Sequence, residues 1–99
     1  MNKREFSNGD VIVLKMISGE EVIVKVESES VFPETLIVRH PHVVSSNGEA
    51  FALMPYIITS DEDRPVEINT NTISAIASPL EGVANAYIER TSGIQLITP

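Results

Sequence analysis

The sequence predicts a small, mainly β domain: a strongly bent, partly open barrel of about five short strands, followed by a C-terminal α-helix. Three observations point there. Val22, Val24 and Val26 alternate with Glu21, Ile23, Lys25 and Glu27, the period-two pattern of a strand with one buried face. Two strand-like apolar stretches each contain a proline, Pro41 and Pro55, which cannot donate to a ladder and so mark bulges, bends or edges. From Ser78 onward the apolar spacing changes from two to three and four, the period of a helix.

The elements follow in chain order. Residues 1–9 read as a lead-in that ends in a turn at Asn8-Gly9-Asp10. Val11 to Ile17 is apolar except for Lys15, too short for a free-standing helix, and reads as a strand apolar on both faces. Ser18-Gly19-Glu20 turns it into the alternating Val22–Val26 strand, which completes a hairpin. Phe32-Pro33-Glu34 breaks the pattern; Leu36 to Val44 is a third strand and, after the Ser46–Glu49 turn, Phe51 to Thr59 a fourth. Asp61 to Arg64 is a solvated loop, and Val66–Ile68 and Thr72–Ala77 are short strand pieces around Asn69-Thr70-Asn71.

Ser78 as N-cap, Pro79 at the first helical position and Glu81 three residues after the cap form a capping box. Leu80, Val83, Ala84, Tyr87 and Ile88 then lie on one stripe, which predicts a helix over 79–92 with Gly93 as its stop. Ile94 to Ile97 is an apolar tail able to return to the sheet.

Ninety-nine residues, 42% of them apolar, make one domain with one modest core. Seven Lys and Arg stand against fourteen Asp and Glu, a net charge of −7, so the basic face of a typical phosphate-binding protein is missing at the level of the whole chain. There is no cysteine, which excludes disulfides and thiolate metal sites and fits a reducing cytoplasm. No apolar run approaches the ~18–20 residues that span a bilayer, and none follows Lys3-Arg4 as a secretory signal requires. The expectation is a cytoplasmic protein with no membrane partner. No nucleophile with a base, glycine-rich phosphate loop or paired catalytic motif is visible, so the expectation is a non-enzyme without a cofactor. A bent sheet of so few strands cannot pair all its edges within one chain; they must be blunted or matched by a partner.

Two stretches carry a family resemblance. Val13 to Val26 gives an apolar strand, a glycine turn and an alternating valine-rich strand; Val66 to Ile76 gives a short apolar strand, a polar turn and an isoleucine-spaced strand. In that order they resemble the two motifs of Sm-like proteins. With Met54-Pro55-Tyr56, Pro79-Leu80-Glu81 and Ser92-Gly93-Ile94, residues 11–97 are similar to a group of small Sm-like proteins from marine phages of cyanobacteria. The pattern departs in four places. Asn69-Thr70 stands for the usual Arg-Gly, Val24 for the usual glycine, Glu34-Thr35 for the usual acidic-Asn pair, and the helix is C-terminal. The resemblance implies an Sm-like open β-barrel that assembles into a homo-oligomeric ring of five to seven subunits, with single-stranded RNA or DNA held by pore-side loops. The rival expectation is a structural or protein-interaction module of a phage, which the acidic balance favours.

The candidate contacts follow. Asn69, Thr70 and Asn71 match the family's second loop, and their amides can pair with a base edge or simply build the turn. His40 and His42, two apart, share a face on a regular strand and suit base stacking or a metal pair, though no third ligand is near in sequence; no metal site is expected. Lys25, with Lys15 and Arg39, forms a positive patch if copies gather around an axis, or is an ordinary solvated charge. Tyr56 and Phe32 suit stacking or the core, and Asp61-Glu62-Asp63 lacks the glycine and distal glutamate of a calcium loop.

Overall fold

A computed structural model describes residues 7–30 and 34–92. Six strands form one antiparallel sheet: β1 (Val11–Met16), β2 (Glu21–Ser30), β3 (Thr35–Ser46), β4 (Phe51–Pro55), β5 (Val66–Asn69) and β6 (Ile73–Ala77). One helix, α1 (Glu81–Thr91), follows. The order is β4-β3-β2-β1-β6, with β5 also paired to β3.

The expected hairpin is β1–β2, with Leu14 opposite Val22 and Ile12 opposite Val24. Gly19 makes the turn at φ 113°, a left-handed conformation that costs glycine little. The third strand is longer than its expected span and has two partners on one side. Its first half pairs with β5, Thr35 opposite Asn69 and Val38 opposite Val66; its second half pairs with β4, His42 opposite Pro55 and Ser46 opposite Phe51. The expected Phe51–Thr59 strand stops at Pro55, and the chain turns away at Tyr56–Ser60. β4 and β5 thus occupy the place of one interrupted strand, which is why there are six strands and not five.

The interruption coincides with a bulge. Arg39 pairs with Lys25 and His42 with Ile23, so His40 and Pro41 together oppose Val24 alone. Pro41, without an N–H, sits at this change of partner, and its carbonyl accepts from Tyr56 N–H at 2.8 Å.

Curvature brings the ends of the sheet together without closing it. β5 and β6 do not pair; a 3₁₀ turn, Thr70–Thr72, joins them. Thr70 N–H donates to the Glu34 carbonyl at 3.2 Å, beside the start of β3, and Ile17 N–H to the Thr72 carbonyl at 2.8 Å, at the end of β1. Inside lie Ile12, Leu14, Met16, Val22, Val24, Val26, Leu36, Val38 and Ile68.

The other face of the hairpin is also covered, as the two-sided apolar character of Val11–Ile17 predicts. Val83 and Tyr87, four apart on α1, pack on Ile23, flanked by Val11, Val13, Val44 and Leu53. Ile23, read from sequence as lying on the open face of β2, is fully buried under the helix.

The helix start corrects the sequence reading. Leu80 is the N-cap with extended dihedrals (φ −60°, ψ 147°), and no side chain caps the first turn. The Ser78–Glu81 capping box is therefore not made, because Pro79 and Leu80 stay outside the helix that Val83 and Tyr87 anchor. Leu80 and Ile88 of the expected stripe remain largely exposed. Phe32 and the Ile94–Ile97 tail lie outside the described residues. Among the described residues no helix is long and apolar enough to cross a membrane.

Candidate functional site

The residues singled out from the sequence fall into two groups, at opposite ends of β5. Asn69 to Asn71 sit where β5 meets the start of β3, and His40 lies beyond Val38, which pairs with the other end of β5. The five steps along the chain from Thr35 to His40 separate the groups by roughly 16 Å at strand rise.

At the first end the asparagines have different tasks. Asn69 Oδ1 accepts from Asn71 N–H at 2.9 Å and caps the 3₁₀ turn. Thr72 Oγ1 donates to the Asn69 carbonyl at 2.7 Å, and Thr70 Oγ1 lies 3.4 Å from both the carbonyl and Oε1 of Glu34. Asn69 and Thr70 thus build the turn. The Asn71 side chain is exposed and makes no hydrogen bond within the described residues, so its donor and acceptor are available to a ligand.

At the second end the backbone is strained. His40 is the only non-glycine among the described residues with positive φ, 52°. Its carbonyl accepts from the Tyr87 hydroxyl at 2.9 Å, and the same hydroxyl lies 3.0 Å from the Arg39 carbonyl. The His42 ring also points here, with Nδ1 2.8 Å from the His40 carbonyl, which places a proton on Nδ1. His42 is 7% exposed and meets Tyr87 edge-on, ring centroids 5.7 Å apart. Burial pushes the Tyr87 phenol well above its usual range, so it stays a donor.

The two histidines do not form a metal pair. The bulge and the left-handed turn at His40 remove the regular strand geometry, and His42 Nδ1 is already engaged. Among the described residues no three His, Cys, Asp or Glu gather as metal ligands.

The cations are unequal. Arg39 Nε donates to Glu27 Oε1 at 2.9 Å and its Nη1 to the Asp63 carbonyl at 2.9 Å, which ties the 61–64 loop to β3 and removes Arg39 from the expected positive patch. Lys15 Nζ lies 3.7 Å from Glu21, both about half exposed. Lys25 is exposed and has no ion pair within the described residues. Tyr56 packs against the inner core, and Asp61 Oδ1 accepts from Asp63 N–H in a local turn.

The His40 imidazole is half-buried. Burial is the main reason its pKa falls below the ordinary value; Glu62 opposes the shift, and His42, Arg39 and Lys25 add to it. The ring lines a shallow cleft between the β3 bend and the 56–65 segment, with Pro55, Ile57, Arg64 and Val66 among its walls. Sequence reasoning missed Tyr87 as the residue that fixes this cleft, because its spacing marks it as core and its hydroxyl partners lie 47 and 48 residues away. Arg64 carried no signal beyond membership of a charged loop.

A second, apolar groove of about 170 Å³ crosses the helix-facing side of the sheet, between Val13, Val44, Phe51, Ala77, Leu80 and Val83.

No protein-family model matches the chain, and no curated protein is significantly similar to it.

Proposed function

We propose that this chain is an Sm-like, self-assembling adaptor that forms a ring by strand addition and presents copies of its Asn71 turn to single-stranded RNA or DNA. The observation that carries the reading is a pair of matched edges. β4 and β6 are each five residues long, lie at opposite ends of the sheet order, and have no strand on their outer side among the described residues. An unpaired edge is a template for another strand. Joining one copy's β4 to the next copy's β6 is a head-to-tail contact, which closes into a ring if the rotation fits. The order of strands and the polar turn between β5 and β6 support the Sm-like reading made from the two sequence motifs. Repetition around an axis multiplies Asn71 and Lys25 into circles of amides and charges, a local field that one acidic chain lacks. Unpaired bases suit such readout, because their edges and faces are free.

The protein is read as a binder and not a catalyst, working in the cytoplasm of a phage-infected host. Titration of the full chain with oligo-U and oligo-A at low and moderate salt tests the reading. Saturable binding that weakens with salt and with Asn71→Ala supports it; no binding at high micromolar protein removes it.

A second reading has its own observation. Phe51 and Leu80, 54% and 67% exposed, flank the apolar groove, as expected of a surface that takes a protein segment. In that reading the chain is a structural or protein-interaction module of a phage. Copurification of a protein that survives nuclease treatment and is lost in Leu80→Asp favours it.

A further inference from the structure

We propose that the cleft at the β3 bend is a pocket for one unpaired nucleobase, read by the His40 imidazole. The inference rests on the single-strand reading for the source of its ligand, and it adds a second contact point at the far end of β5 from the Asn71 turn.

The first support is the backbone. A non-glycine residue held at positive φ is disfavoured and persists only where its surroundings enforce it, and such residues cluster at ligand sites. Here the enforcement is visible: the Tyr87 hydroxyl and His42 Nδ1 both converge on the His40 carbonyl. Glycine would satisfy the same bulge without strain. A histidine in its place delivers an imidazole to the cleft.

The second support is the chemistry of the walls. The imidazole is kept neutral by burial, so one ring nitrogen donates and the other accepts, which is what a base edge requires. Pro55, Ile57 and Val66 supply apolar surface, and Ile57 and Ile58 are 40% and 77% exposed on the adjoining segment. Arg64 shares the lining with Asp61 and Glu62, so one positive charge stands against two negative ones and the cleft does not select a phosphate. An uncharged planar group with a polar edge fits this mixture.

The third support is size. The cleft is small, about 40 Å³. A whole base does not fit inside, so an exocyclic amino or carbonyl group enters while the ring lies across the mouth.

The test is an NMR titration of the full chain with each of the four nucleosides, with inorganic phosphate, and with oligo-U and oligo-A. It uses the wild type, His40→Gly, which keeps the backbone, and Glu49→Gln, an exposed residue of the β3–β4 turn that lies in neither site. The expected result is shifts at His40, His42 and Val66 with at least one nucleoside and none there with phosphate. His40→Gly weakens nucleoside binding fivefold or more, and Glu49→Gln leaves it unchanged. No nucleoside shifts at these residues, or equal nucleoside affinity in His40→Gly, overturns the proposal. An oligonucleotide that shifts Asn71 but not His40 overturns the cleft and keeps the single-strand reading. Nucleosides held at His40 with no oligonucleotide binding keeps the cleft and removes that reading.

Discussion

The Tyr87 hydroxyl donates to the His40 carbonyl oxygen at 2.9 Å and so fastens α1 to the bend of β3. The helix has two buried residues, Val83 and Tyr87, and the Tyr87 hydroxyl adds a polar tie from it to the sheet. Tyr87→Phe keeps the ring against Ile23 and removes one donor from the His40 and Arg39 carbonyls, of which the His40 carbonyl keeps His42 Nδ1–H. Urea unfolding should show a loss of about 1–2 kcal/mol, and the His42 ring signals should shift with it.

His40 offers a substitution with an unusual sign. Glycine adopts φ 52° without the penalty a side chain incurs, so His40→Gly should leave stability unchanged or raise it by up to about 1 kcal/mol. His40→Val, with a branched Cβ in the same conformation, should lower it by about 1–3 kcal/mol. Equal denaturation midpoints for the two variants would contradict the assigned backbone.

Stability should also fall in mild acid. The folded His40 titrates below its ordinary 6.5, mainly through burial, with Glu62 opposing and His42, Arg39 and Lys25 assisting. As pH falls, the unfolded chain takes up this proton first. The unfolded state then binds more protons, and stability declines from about pH 6.5 down to the folded value, below which this group adds no further loss. Urea midpoints measured between about pH 7.5 and pH 5.5 should show the decline, and His40→Gln should reduce its slope.

Much of this fold was legible because period-two alternation and turn residues are local signals. The β1–β2 hairpin, both faces of β1, the two strands around Asn69–Asn71 and the existence of the helix all follow from neighbours in sequence. The burial of Ile23 did not, because alternation cannot reveal that a helix sixty residues later covers the second face of β2. The capping box failed for the same reason: Ser78-Pro79-Leu80-Glu81 has the right local chemistry, but docking of Val83 and Tyr87 starts the helix at Glu81. Of the candidate contacts, the turn-building chemistry of Asn69 was readable. The division of the set was not, since only the pairing of β5 with β3 separates Asn71 from His40.

Ile23 therefore provides a test of the two-sided core. Ile23→Ala and Leu14→Ala should each cost about 2–5 kcal/mol. Only Ile23→Ala should also speed amide exchange across α1 while the β1–β2 amides stay protected, because it removes the helix seat and leaves the inner core intact.

A ring requires the β4 and β6 edges to be completed by other copies of the chain. Native mass spectrometry of the full-length protein at micromolar concentration, with Met54→Lys on β4 and Ala75→Lys on β6 as edge variants, measures this directly. A single closed species of five to seven copies, reduced to monomer by either lysine, is the predicted result. A wild-type monomer that persists as concentration rises would contradict it.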